Sequence, residues 1–160
     1  MHSVFVLCQN YPSEKDKYSM AFVHPRIKEY LKTGLDVKVI SFACNCSYIY
    51  DEVQVYTLQK GKELLRKSEK VILIAHAPNI KNHLFFILKT WKYLDRLILF
   101  FHGHEVLSTK KYYPRPYDFN KAAKREYRFL RLYDQIKLPV MRYYPVSYTH
   151  LRAHETELHL

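Results

Sequence analysis

The chain has 160 residues, 48% of them hydrophobic, with 26 Lys and Arg against 15 Asp and Glu and a formal net charge of +11. That apolar content excludes an intrinsically disordered chain, and the length allows about one domain with a buried core. There is no apolar run of the roughly 20 residues that span a bilayer, no signal peptide is read at the start, and Cys8, Cys44 and Cys46, an odd number, fit a reducing compartment better than a disulfide framework; a cytoplasmic protein is expected.

Val4–Leu7 is a continuous apolar run, read as a strand buried on both faces. The loop behind it, Gln9 to Ser19, contains no glycine. A dinucleotide-binding fold carries G-x-G-x-x-G there, which lets the backbone approach a pyrophosphate. The chain's three glycines are Gly34, Gly61 and Gly103, so binding of NAD, FAD or a nucleotide by a Walker A loop is disfavoured.

Met20, Val23, Ile27, Tyr30 and Leu31 then recur at helical spacing, with Pro25 in the first turn and Gly34 just past the end. Val37–Ile40 is the second strand. Val53 to Leu58 adds a short strand and Gly61 to Lys70 a short helix. Val71–Ile74 is the third main strand, and the segment ends at His76. Asn79 is the expected cap of a helix with Leu84, Ile87, Leu88 and Trp91 on its buried face. Leu97–Phe101 is the fourth main strand, again read as buried on both faces. The four main runs start about 30 residues apart, the repeat of a βαβ unit. Strands and helices alternate without hairpin signals, which predicts an α/β fold with a Rossmann-like, doubly wound parallel sheet.

After His104 the pattern changes. Lys110 to Tyr117 reads as a loop, and Phe119 to Lys137 as a longer helix capped by Asp118 or Asn120. Ala123, Tyr127 and Leu130 form its expected apolar stripe, and Lys121, Lys124, Arg125, Arg128 and Arg131 a basic face. That face has three readings: a solvated surface, a membrane-surface patch, or a nucleic-acid patch, the last without a recognised reader motif. Val146 to Leu160 has no usable apolar period, and Ser147 to Thr156 closely resembles translated adapter sequence. The expected organisation is a single domain over 1–145 with a non-native tail over 146–160.

In open α/β sheets, ligands bind beyond the carboxyl ends of the strands. His76 and His102 end the last two main strands and are expected at one rim. Gly103 allows close backbone approach to a ligand, and Glu105 either caps the next segment or binds a hydroxyl. No metal site is expected: Cys44-Asn45-Cys46 lacks paired spacing, His102-Gly103-His104 lacks a third ligand, and His154 and His159 would leave a common helix face.

Three stretches together carry a family resemblance. Tyr11-Pro12 followed by Phe22-Val23-His24, then Thr33-Gly34-Leu35-Asp36-Val37-Lys38-Val39, then Phe101-His102-Gly103-His104-Glu105, resemble the N-terminal, acceptor-side Rossmann-like domain of GT-B glycosyltransferases of the family 4 type. The likeness covers about Val4 to Tyr144. In place of the family's frequent glycine pair, the first loop carries Ser13 to Ser19. The resemblance implies one half of a GT-B fold, with the nucleotide-sugar held mainly by a second domain, beside a Glu-x7-Glu motif, that this chain lacks. It implies metal-independent, retaining sugar transfer to a glycan or lipid-linked acceptor, with no cofactor beyond the nucleotide-sugar donor as substrate. His102 would touch the transferred sugar as the catalytic-site residue. Tyr18, Ser19, His76, Gly103 and Glu105 would bind substrate. Such an enzyme would be cytoplasmic and peripheral on the inner face of a membrane, this fragment alone would be inactive, and no nucleic acid is expected as a partner. The alternative is a non-enzymatic basic α/β module that binds anionic membrane or RNA.

Overall fold

The computed structural model describes residues 2–103, 105–112 and 121–149. Its contacts divide the chain into two compact units, Met1–Phe100 and Phe101–Leu160.

The first unit is built on one sheet of six strands: β1 (Ser3–Cys8), β2 (Asp36–Ser41), β3 (Tyr48–Tyr50), β4 (Val53–Tyr56), β5 (Val71–His76) and β6 (Arg96–Phe100), in the order β3-β4-β2-β1-β5-β6. β1 pairs in parallel with both β2 and β5, so that Leu7 lies between Ile40 and Ala75. β4 and β6 extend the parallel pairing outward on either side. The chain therefore moves from β1 through β2 to β4, then crosses back to the far side of β1 for β5 and β6. That reversal is the topological switch point of a doubly wound sheet, and it falls between β1 and β5. The expected α/β class and Rossmann-like strand order are both present.

The apolar runs account for this arrangement. Along β1, Val4, Val6 and Cys8 alternate with Phe5 and Leu7, and all five are buried because both sheet faces are covered. Helix α1 (Val23–Lys32) covers the first face with Val23 and Ile27. Helix α2 (Leu58–Lys67) lies on the other, where Gly61 meets Ile40. A Cβ on Gly61 would stand 2.5 Å from Ile40 Cγ1, so the absent side chain is what allows this close approach of helix and strand. Gly34, at φ +77°, closes α1 as expected, its N–H donating to the Leu31 carbonyl at 2.9 Å.

Four local expectations are corrected. Met20 sits at φ +50°, outside the helix, which begins at Val23. The sheet is not purely parallel: β3 pairs antiparallel with β4 through a hairpin whose turn residues, Asp51 and Glu52, both have positive φ. An Asp-Glu pair carries none of the glycine or asparagine that marks such turns. A π-helical turn, Ile80–Leu84, precedes α3 (Phe85–Thr90), with the Leu84 N–H bonded to the Asn79 carbonyl at 3.0 Å. The extra residue rotates the helix face. His83, Phe86, Ile87 and Thr90 are buried, while Leu88 and Trp91 are exposed. Finally, β6 is an edge strand among the described residues, so Leu97, Ile98 and Phe100 are only half-buried.

In the second unit, α4 (Thr109–Tyr112) takes up the start of the expected loop, and α5 (Lys121–Thr149) continues well past Lys137. The position expected as a domain boundary, residue 145, lies within α5. The buried face of α5 carries Asp134 and Met141, whereas Leu130 of the expected stripe is exposed. Asp134 accepts the Thr109 N–H at 2.5 Å and pairs with Lys137 at 2.7 Å. Burial pushes its carboxyl up, but these donors outweigh burial and hold it below the ordinary carboxylate range. Among the described residues no helix is long and apolar enough to cross a membrane. His104, Asp118, Asn120 and the tail from residue 150 onward lie outside the described residues.

Candidate functional site

The loop after β1 starts at the switch point and is held by tertiary bonds. Tyr11 is buried, and its hydroxyl lies 2.6 Å from His24 Nδ1. His24 Nε2 lies 2.9 Å from Asp51 Oδ2. The carboxylate can only accept, so Nε2 carries a proton, and in the neutral imidazole Nδ1 accepts from the Tyr11 hydroxyl. The hydrogen bond from His24, joined by Lys28, holds the Asp51 carboxyl below its ordinary range. Burial, reinforced by Cys8 and Tyr48, pushes the Tyr11 hydroxyl far up, which keeps it a proton donor rather than a base. The Tyr48 hydroxyl shares its proton between the carbonyls of Tyr11 and Pro12, 3.1 Å from each.

Farther along the same loop, Asp16 Oδ1 accepts the N–H groups of Tyr18 and Ser19 at 3.1 and 3.2 Å. An acidic side chain thus occupies two of the loop's amides, which a phosphate could otherwise use. Tyr18 is 91% exposed. Ser19 is half-buried.

Across the switch point, Gln9 Oε1 accepts from Asn79 Nδ2 at 3.2 Å and Asn82 Nδ2 at 2.8 Å, and Asn79 caps the following turn through the Asn82 N–H at 2.8 Å. Beneath this amide cluster His83 is buried, edge-on to Phe42 at 4.8 Å. Burial lowers its pKa to about 4, against the opposing pull of the Leu7 and His76 carbonyls that face it. Neither ring nitrogen of His83 reaches full hydrogen-bond geometry. The imidazole is therefore neutral at pH 7. His76, expected at the rim, is buried and stacked flat on Phe100 at 4.9 Å.

Beyond β6, in the second unit, the expected cluster has a defined form. His102 is exposed, and its backbone N–H donates to Glu105 Oε2 at 2.9 Å. Glu105 is buried. Gly103 adopts φ +112°, a conformation L side chains rarely adopt, and its carbonyl accepts the N–H groups of Val106 and Leu107. Glu105 Oε2 thus holds the backbone three residues before it.

Sequence reasoning missed the Gln9–Asn79–Asn82 cluster, the Tyr11–His24–Asp51 chain and buried His83. Apart from the local Asn79–Asn82 bond, the hydrogen bonds that join these groups span 13 to 73 positions along the chain, so no local pattern announces them. Among the described residues no three His, Cys, Asp or Glu side chains come together as metal ligands. Comparisons with protein-family models, with curated proteins and with solved structures return no match.

Proposed function

We propose that this chain is the acceptor-side half of a metal-independent, retaining glycosyltransferase. It moves a sugar from a nucleotide-sugar to a glycan or lipid-linked acceptor at the cytoplasmic leaflet of a membrane, with the donor nucleotide held by a second domain. The observation that carries this reading is the turn His102–Glu105. Each residue of the His-Gly-x-(Asp/Glu) resemblance that can be described has a physical task there. Gly103 supplies the positive φ, Glu105 clamps the His102 N–H, and the imidazole is left exposed.

In this reading His102 hydrogen-bonds the donor sugar, and Tyr18 and Ser19 border the acceptor. His76, being buried, supports the rim from within instead of touching substrate. Sugar transfer needs no covalent nucleophile when the reactants are oriented and the charge on the leaving group is stabilised. The occupied amides of the first loop fit a donor whose phosphates are bound elsewhere.

The test is sugar transfer from labelled nucleotide-sugars, measured with the 160-residue chain and with its longer reading frame. The chain alone is expected to be silent and the longer protein active. His102→Ala in the latter should lower kcat by about a hundredfold with little change in KM. Transfer by the chain alone, or an unchanged kcat in His102→Ala, would overturn the proposal.

A further inference from the structure

Helix α5 has two unlike faces. Asp134 and Met141, two turns apart, are buried. At about 3.6 residues per turn, Phe129, Leu132 and Ile136 fall on the opposite side, and they are 63%, 64% and 62% exposed. Tyr143, 77% exposed, continues the same row. Arg125 heads the row, Arg128 lies beside it, and Arg131 lies farther round the helix toward the buried side; all three are exposed. Arg131 rests 5.9 Å over the Tyr127 ring.

We propose that this row is the docking face by which the protein lies on an anionic bilayer. Phe129, Leu132 and Ile136 enter the boundary between headgroups and acyl chains, Arg125 and Arg128 pair with lipid phosphates, and Arg131 adds to the positive charge of the helix. Charge and side-chain type select this occupant. A second copy of the helix would set arginines against arginines. An RNA would satisfy the arginines but leave Leu132 and Ile136 with nothing to stack on. Of these three occupants, the surface that is anionic above and apolar beneath satisfies both sets of residues. The inference deepens the membrane-side reading above and rests on it for the choice of leaflet. Vesicle binding and sugar transfer are separate readouts, so either can fail alone.

The test is co-sedimentation of the full chain with vesicles of phosphatidylcholine, alone or mixed with phosphatidylglycerol. Binding is expected only to the mixed vesicles and should weaken at high salt. Phe129→Ser with Leu132→Ser and Ile136→Ser should weaken it by at least about tenfold. Arg125→Glu with Arg128→Glu and Arg131→Glu should weaken it by roughly a hundredfold or more. All six positions are exposed, and far-UV circular dichroism checks that the helix survives. A single Leu132→Trp change gives an independent reading, a blue shift of emission on the mixed vesicles. Equal binding to neutral vesicles, binding unchanged in both triple variants, or no blue shift would overturn the proposal. So would tighter binding to RNA than to the mixed vesicles, or a dimer that the serine variant dissociates.

Discussion

The loop after β1 and the turn after β6 both leave the carboxyl end of a parallel strand, and they are fixed in opposite ways. The turn is fixed locally: Gly103 provides a left-handed backbone, and Glu105 reaches back three residues to the His102 N–H. The loop has no glycine and is fixed from a distance, by His24 and Tyr48 acting on Tyr11, and by Asp51 behind His24. The local device positions one exposed imidazole. The distant one ties a loop, a helix and a hairpin together, so that a single side chain, His24, carries three elements.

The largest expected effect tests the base of the distant device. His83 lies beneath the switch point with a folded pKa of about 4 against an ordinary value of 6.5. The unfolded chain then binds the proton more tightly, so stability is full above pH 6.5 and falls as the pH drops towards 4. The loss is about 3 kcal/mol. Urea titrations across this window should show it, and His83→Leu should flatten it. Asp36, Asp51 and Asp134, all held below the ordinary carboxylate range, contribute only in the more acidic window below about 4. An acid slope that survives His83→Leu would remove His83 as its source.

Next comes His24→Ala. It leaves the buried Tyr11 hydroxyl without its acceptor and should cost about 2 kcal/mol. Limited proteolysis should then cut between Gln9 and Phe22, a region the parent protects. If the cleavage pattern does not change, Tyr48 alone suffices to hold the loop.

The smallest effect sharpens the other half of the comparison. Gly103→Ala forces a side chain into φ +112° and should cost about 1 kcal/mol. Its consequence should be confined to the turn. NMR shifts should move around His102 and Glu105 and stay put at Tyr11 and His24. A spread of changes into the first loop would mean that the turn is less local than its hydrogen bonds indicate.

The same division decides how much was legible. The turn's chemistry was readable because Gly103 and Glu105 lie within three residues of His102. The capping role of Asn79 was readable for the same reason, since it acts on Asn82. The buried face of the following helix was not, because one π-helical residue moved it from Leu88 and Trp91 to His83, Phe86 and Thr90. His76 was read as a rim residue. Its ring instead stacks on Phe100, a partner that only the β5–β6 register supplies.

By itself the sequence determined the α/β class, the doubly wound, mainly parallel sheet and the absence of a glycine phosphate loop. Apolar runs at βαβ spacing bury both faces of a strand wherever they pair, and glycine spacing is local information. Tertiary structure alone decided that Tyr11, His24 and Asp51 form one hydrogen-bonded chain and that Gln9 bridges the switch point. It also decided that α5 turns Phe129, Leu132 and Ile136 outward. A helical stripe shows that a face is apolar, but which face is buried depends on where Asp134 finds Thr109, and that partner choice is made only in the folded chain.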